Sequence, residues 1–275
     1  MHAGGLEILK QFELLKFTNT IQNKFTYYFD LVSALTKKEI KIRYKNSMLG
    51  YVWSIANPLL YAMIFYFVFK VIMRFNIEHY TLFLISGLFP WQWISNSILG
   101  GTASFVSNSS LIKKVSFPCL FLPLSQVLND AFHFIISIPV IIAFLLFYHQ
   151  YPSFTWLYGI PMLLIPTFLI SYGFSLAVAS INVFFRDLQY LTALFMTILF
   201  YVTPIFYTIK LIPEKYRYLI YLNPFTPLIS NWRLMFMHGH INWTYYFLSI
   251  VYGVVVFLIG YFIYFKLKSR FAEMI

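Results

Sequence analysis

The chain has 275 residues, of which 60% are hydrophobic and only 11% are charged. Soluble globular proteins carry about 25% charged residues, so this composition excludes a soluble enzyme and a disordered chain and indicates several membrane spans. The formal net charge is +11. In a membrane protein we attribute this excess to orientation, because cytoplasmic loops collect Lys and Arg, and we expect no nucleic-acid partner.

The first fifty residues are rich in Lys and Arg and precede the first long apolar stretch. From Phe29 to Lys45 apolar and basic residues are interleaved, and a helix would place them on opposite faces. Such a helix suits a membrane surface. We therefore expect a cytoplasmic N-terminal region at 1–50 that contains an amphipathic interfacial helix. The alternative is a solvated face held against another subunit.

Six apolar stretches are long enough to cross a bilayer as helices and form a transmembrane domain at 51–270. The predicted spans are 51–73, 80–102, 117–148, 154–184, 188–207 and 244–265. A polar segment at 104–116 separates the second span from the third. Between the last two spans, the apolar runs are too short to cross, so we predict a re-entrant hairpin of short outer helices at 211–240. The predicted fold is therefore all-α and membrane-integral.

Six spans place both termini on the same side of the membrane. Most basic residues fall on that side, including the pair Lys113–Lys114, Arg186 and the group that follows the last span. The loops on the opposite side hold the remaining six, which are Lys70, Arg74, Lys210, Lys215, Arg217 and Arg233. The positive-inside rule therefore predicts that both termini are cytoplasmic.

The sequence contains no GxxxxGK[ST] motif, so it has no phosphate-binding P-loop of its own. The pair His238 and His240 lacks a third ligand. We predict no catalytic residue, no metal site and no cofactor in this chain. A membrane-embedded glycosyl- or acyltransferase stays open as an alternative, for which Asp130 with His133 is the sole candidate.

Asp130 is the one acid well inside a predicted span. An unpaired acid at the bilayer centre costs about 2.5–3.5 kcal/mol on insertion scales, so this side chain should face protein or a wet cavity. Two interpretations stay open. Asp130 is either a relay or substrate contact, or it is a polar lock between helices near the cytoplasmic interface.

Aromatic residues make up 22% of the chain, and tyrosine recurs within the spans. A tyrosine ring offers a flat apolar face and a hydroxyl, which suits a pore that carries sugars. Packing and anchoring at the membrane interface are the alternatives for each ring.

Five segments carry a family resemblance. The first runs from Asp30 through Arg43, Leu49-Gly50 and Trp53 to Pro58-Leu59, and the second runs from Phe89-Pro90-Trp91 through Trp93 and Asn96 to Ser97. The third runs from Asn108 through Lys113-Lys114 to Pro118, and the fourth from Asn182 through Arg186-Asp187 to Leu188. The fifth is Thr203-Pro204-Ile205 together with Asn223-Pro224-Phe225-Thr226-Pro227. In this order they resemble the permease subunit of type-2 ABC exporters, in the polysaccharide-export branch that carries O-antigens, capsules and teichoic acids.

The resemblance implies a homodimer in the bacterial cytoplasmic (inner) membrane, working with a dimer of cytoplasmic ATP-binding-cassette ATPases that hold ATP and Mg. It implies ATP-driven export of a polyprenyl-diphosphate-linked polysaccharide through a homodimeric, aromatic-lined channel. A type-2 ABC exporter of a drug or lipid is the alternative. Fewer pore aromatics and a less basic entry would favour it, and neither is seen.

Site residues follow from the same resemblance. The resemblance implies that the ATPase couples to the segment 104–116 and to the break after the fourth span. The residues assigned to this coupling are Leu111, Ile112, Lys113, Lys114, Val115, Arg186 and Asp187. Channel lining falls on the first and fifth spans, at Tyr51, Trp53, Tyr61, Phe65, Phe69, Phe195, Tyr201 and Tyr207. The diphosphate head group is assigned to the basic residues before the first span, Lys41, Arg43 and Lys45.

Overall fold

The computed structural model describes residues 21–44, 50, 52–75, 77–115 and 117–274, and the regular structure in these ranges is entirely helical. The α-helices are α1 (Ile21–Tyr44), α2 (Val52–Phe65), α3 (Tyr80–Thr102), α4 (Ser104–Ser107), α5 (Ser109–Lys114), α6 (Phe121–Phe147), α7 (Trp156–Asn182), α8 (Leu188–Val202), α9 (Glu214–Tyr221), α10 (Phe225–His238), α11 (Trp243–Leu267) and α12 (Phe271–Met274). A π-helix, Tyr66–Ile72, continues α2. The all-α prediction is confirmed for this part of the chain.

In the part of the chain that the structure describes, three helical stretches are long and apolar enough to cross a membrane: Phe121–Phe147, Trp156–Asn182 and Trp243–Arg270. Two shorter apolar stretches, Leu59–Ile72 and Leu188–Val202, fall within the first and fifth predicted spans. A chain with several such helices is expected to cross the bilayer more than once.

The fifth predicted span differs from the helix found there. The prediction runs to 207, whereas α8 ends at Val202 because Thr203 adopts an extended conformation, with φ −78° and ψ 136°. Pro204 follows; it has no N–H to donate and disfavours the helical conformation for Thr203 before it, which favours the end of the helix here. The five residues after α8 form a short irregular segment, 203–207.

Helix α3 is the centre of the bundle. Most of its residues are buried, and it packs on α2, α6, α7, α8 and α10. Two buried tryptophans donate hydrogen bonds through their indole nitrogens: Trp93 Nε1 of α3 donates to the Val127 carbonyl at 3.1 Å, and Trp232 Nε1 of α10 donates to Thr167 Oγ1 at 2.9 Å. A buried N–H left unpartnered would be costly, so these bonds fix how the apolar rings sit.

A second cluster of buried side chains lies where the two ends of the described chain meet. It contains Leu31 and Leu35 of α1, Phe105 of α4, Val183 just after α7, and Phe271 of α12. We call this region the terminal end of the bundle. It places α1 and α12 at the same end of the bundle.

Helices α7 and α11 approach so closely that only glycine fits between them. A Cβ on Gly260 would lie 2.1 Å from the Gly173 carbonyl oxygen, and that atom belongs to the backbone and cannot move aside. Gly260→Ala is therefore expected to destabilise the protein by about 1–3 kcal/mol, the usual cost of overpacking. Thermal unfolding in detergent checks this.

Gly159→Ala is the matched control, because its Cβ would meet the flexible Met235 side chain at 3.1 Å instead of backbone. Equal melting temperatures for the two variants would contradict the close packing of α7 on α11.

Candidate functional site

A groove of about 360 Å³ lies between α2, α3 and α8. Aromatic rings and polar side chains share its wall. The lining includes Tyr61, Phe65, Trp91, Gln92, Ser95, Asn96, Thr197, Phe200 and Tyr201. Such a wall offers flat apolar faces beside hydrogen-bonding groups, so it suits a ligand that has both kinds of surface.

The polar part of the groove comes mainly from α3. Gln92, Ser95, Asn96 and Leu99 recur at helical spacing and form one face of that helix. Asn96 is exposed, and Gln92 and Ser95 are half-buried, although most of α3 is enclosed. The sequence predicts no lining role for this stretch, although its residues 89–97 carry part of the family resemblance. Its signal is the i, i+3, i+4 spacing of polar residues within an apolar span.

Some predicted channel residues line the groove and others do not. Tyr61 and Phe65 of α2 meet Tyr201 of α8 there. Phe195 is exposed on α8 but is absent from the lining, because the lining residues of α8 repeat along a different helical face. Trp53 is also exposed and outside the lining. Tyr51 lies outside the described residues.

Phe69, from the π-helix that follows α2, supports the groove wall from behind. Its ring stacks on Phe206 at 4.9 Å between centroids, and Phe206 also stacks on Phe65 at 5.6 Å. Tyr207 turns back and donates to the Val202 carbonyl at 2.7 Å. The irregular segment after α8 thereby joins α2 and α8 through stacked rings.

Arg233 of α10 holds this irregular segment in place. It donates to the carbonyls of Pro204 at 2.9 Å and Ile205 at 2.7 Å, and its guanidinium lies 3.8 Å above the Phe83 ring of α3. Tyr80 Oη adds a bond to the Phe206 carbonyl at 2.8 Å. Arg233 is only 9% exposed, whereas the charge count treated it as one basic residue of an outer loop.

The basic residues assigned to the head group separate in the structure. Arg43 lies in the last turn of α1, where its Nη1 is 2.7 Å from Asp130 Oδ1. Lys41 is exposed and sits two residues earlier, which turns it about 200° away around the helix. Lys45 lies outside the described residues. The structure thus gives Arg43 a protein partner that sequence reasoning did not assign to it.

The predicted ATPase-coupling residues lie at the terminal end. Leu111, Ile112 and Val115 pack partly against the buried cluster there, so their apolar face is half covered by this chain. Lys113 and Lys114 are exposed on α5. Arg186 and Asp187 are exposed in the turn between α7 and α8. The exposed charged side chains of this predicted set are therefore three basic residues and one acidic residue.

Comparison with known proteins identifies a family and several relatives. Residues 30–237 match the family of ABC-2 type transporters. The O-antigen export system permease protein RfbA of Klebsiella pneumoniae is 47% identical over 249 residues, which cover 90% of this chain and 96% of that protein. RfbA of Myxococcus xanthus is 34% identical over 214 residues, covering 76% of this chain and 81% of its own length. The polysialic acid transport protein KpsM of Escherichia coli is 23% identical over 219 residues, covering 77% and 83%.

The resemblance carried by the five sequence segments is confirmed by these matches. They extend over most of the chain, and the family match runs from within α1 to the last turn of α10. The apolar helices agree with a permease that crosses a membrane several times. The chain therefore belongs to the ABC-2 type transporter family, as one of its multi-pass membrane permeases.

Proposed function

We propose that this chain is the permease half of an ATP-driven exporter that moves a polyprenyl-diphosphate-linked polysaccharide across the bacterial inner membrane. Relatives named for O-antigen export and polysialic acid transport support this class of cargo. The sequence has no P-loop, so we assign ATP and Mg to a separate ATPase dimer.

The observation that carries the proposal is the mixed wall of the groove. Sugars present C–H faces that stack on rings and hydroxyls that exchange hydrogen bonds with amides. Tyr61 and Tyr201 supply rings, and Gln92 and Asn96 supply amides, on facing helices. A purely apolar drug or lipid would leave those amides without partners, which is costly away from water.

A second copy of the chain completes the channel in this proposal. Within the described residues, α8 buries only Thr192 and Met196, and α2 buries little more than Ala62. Tyr61 and Tyr201 are 53% and 57% exposed. Two copies that face each other across these helices would enclose the groove and cover its rings.

Six spans with cytoplasmic termini remain the topology that we propose. Helices α9 and α10 have 8 and 14 residues, fewer than the roughly 20 that cross a bilayer, so they would enter and leave from the outer side. The terminal end, with α5 and the turn at Arg186, would then face the ATPase. Closure of the ATPase would move this end as a rigid body.

Reversing the exposed charges on α5 tests the docking surface. Lys113→Glu with Lys114→Glu is expected to reduce ATPase co-purification roughly tenfold, equivalent to about 1.4 kcal/mol. The amount of folded permease should not change, since both side chains are exposed. Quantitative pull-down of the tagged permease measures the ratio.

Lys210→Glu with Lys215→Glu is the control. Lys215 lies on α9 and Lys210 lies just before it, in the region that we place on the opposite membrane face. Undiminished ATPase recovery with the α5 variant would move the docking surface elsewhere.

ATP hydrolysis in nanodiscs tests the function itself. The permease is co-purified with its ATPase, and polyprenyl-diphosphate-linked glycan is added. A stable complex whose hydrolysis responds to the glycan lipid supports the proposal. A response to ordinary phospholipid alone would favour a lipid exporter. A permease that binds no ATPase would contradict both readings.

A further inference from the structure

Asp130 is a buried carboxylate, 1% exposed, that joins three helices. On one oxygen, Oδ1, it pairs with Arg43 of α1 at 2.7 Å. On the other, Oδ2, it accepts from Gln126 Nε2 of α6 at 2.9 Å and from Ser97 Oγ of α3 at 3.3 Å. A buried ionisable group in a membrane protein is retained at a cost, so its contacts call for a functional account.

The sequence around Asp130 is built to hold the two neutral donors. A Cβ on Gly100 would lie 2.7 Å from Gln126 Nε2, so the glycine leaves the room in which that amide reaches the carboxylate. Ser97 is fixed in turn by α7, because Ser175 Oγ donates to its carbonyl at 3.1 Å. Asp130 therefore keeps two hydrogen bonds even when Arg43 is elsewhere, and the cost of releasing Arg43 is limited.

The side chain of Arg43 is less enclosed by protein than that of its partner Asp130. Its side chain is 31% exposed although it is paired. Helix α1 is anchored by Leu31 and Leu35, and Arg43 lies about two turns, roughly 12 Å, beyond Leu35. Ile42 beside it is exposed, so this end of α1 projects past the packing that holds the helix. Arg43 can therefore leave Asp130 while α1 stays in place.

The ion pair lies next to the groove. Ser97 contacts Asp130, and the preceding residue, Asn96, lines the groove on the adjoining face of α3. A ligand with its anionic end at Arg43 and its sugars along α3 would engage both sites. A diphosphate carries at least two negative charges and accepts bidentate bonds from a guanidinium, so it competes well with a single carboxylate.

We propose that the Arg43–Asp130 pair is a latch, which holds Arg43 in the absence of cargo and which a diphosphate opens by taking the guanidinium. The latch rests on the proposed function and adds to it a means by which the permease senses its cargo. When a ligand must first break a competing ion pair, its apparent affinity is its intrinsic affinity multiplied by the fraction of molecules in which Arg43 is free. Asp130 thus keeps hydrolysis low until a lipid diphosphate arrives.

The sign of two substitutions tests the latch. In the permease–ATPase complex in nanodiscs, farnesyl diphosphate is titrated and hydrolysis is measured. Asp130→Asn is expected to lower the half-maximal concentration roughly fivefold or more, and to raise hydrolysis without lipid. Gln126→Leu is expected to raise that concentration, because Asp130 loses a donor and relies more on Arg43. Arg43→Gln should remove the response in either background.

If Asp130 had a merely structural role, Asp130→Asn and Gln126→Leu would change the half-maximal concentration in the same direction, and their melting temperatures would change with it. A higher or unchanged half-maximal concentration for Asp130→Asn would overturn the latch while leaving the proposed export intact. A wild-type complex that responds to glycan lipid but not to farnesyl diphosphate would overturn the latch as well. Inorganic diphosphate is tested in the same assay. Activation of hydrolysis by inorganic diphosphate would show that the anion suffices. If farnesyl diphosphate activates hydrolysis and inorganic diphosphate does not, the ligand is the lipid form.

Discussion

Replacing Arg233 by Met is expected to abolish export and to lower the stability of the permease by about 3 kcal/mol. The substitution leaves three backbone carbonyls, those of Phe83, Pro204 and Ile205, without the guanidinium that now binds them. A buried acceptor that loses its partner costs about 1–3 kcal/mol, and loss of the buried charge offsets part of the sum. Thermal unfolding in detergent and an export assay in cells measure the two effects.

The loss of export has a specific structural cause. Without Arg233 the segment 203–207 is less constrained, and Phe206 no longer holds its place against Phe65 and Phe69. Arg233→Lys should restore little, because one ammonium cannot reach all three carbonyls in the geometry of a planar guanidinium.

Arg217→Met is the matched control for this prediction. Arg217 lies on α9 and bonds to the Ile212 carbonyl and to Glu214, but its side chain is 37% exposed and that of Glu214 is 88% exposed. Exposed pairs of this kind contribute about 0–1 kcal/mol. If both arginine variants lost the same stability, the account of Arg233 as the support of the groove wall would be wrong.

Asn96→Trp is expected to reduce export at least tenfold while leaving the amount of folded permease close to normal. Asn96 is exposed on the groove face of α3, so a larger side chain there enters the groove and not the core. It also replaces an amide that we assign to the sugar hydroxyls. Surface glycan per unit of permease in the membrane is the measurement.

Leu258→Trp controls for the bulk of the new ring. Leu258 is exposed on α11, which contributes nothing to the groove lining. This variant should export normally. An Asn96→Trp permease that exports at the normal rate would show that the cargo takes another route.

Apolar length predicted the positions of α6, α7 and α11, because a run of about twenty apolar residues has few other stable forms. Helix ends were less predictable. The fifth span was extended to 207 since the residues beyond Val202 are apolar too, and only the extended Thr203 before Pro204 reveals the end. Likewise, the resemblance pointed to Tyr61 and Tyr201, which the groove brings together.

Contacts between distant segments could not be derived from the sequence. Arg233 was counted as a loop charge, because nothing local shows that carbonyls of α3 and of the segment after α8 surround it. Asp130 was left with two interpretations; its contacts on three helices are those of a polar lock, to which the proposed latch adds a response to cargo. Arg43 was assigned to the head group by its position before the first span, and its pairing with Asp130 emerges only when α1 packs on α6.

The most direct test of the central claim blocks the groove with a bulky covalent label and then measures transport. Cys119 is the only cysteine, so Cys119→Ala with Asn96→Cys gives a permease with one thiol, in the groove. The complex is reconstituted in vesicles, labelled with a bulky maleimide, and assayed for ATP-dependent movement of lipid-linked glycan. We predict that complete labelling stops translocation, while an Asn96-containing Cys119→Ala complex treated in the same way continues. Unchanged translocation by the fully labelled complex would contradict a glycan path along α3.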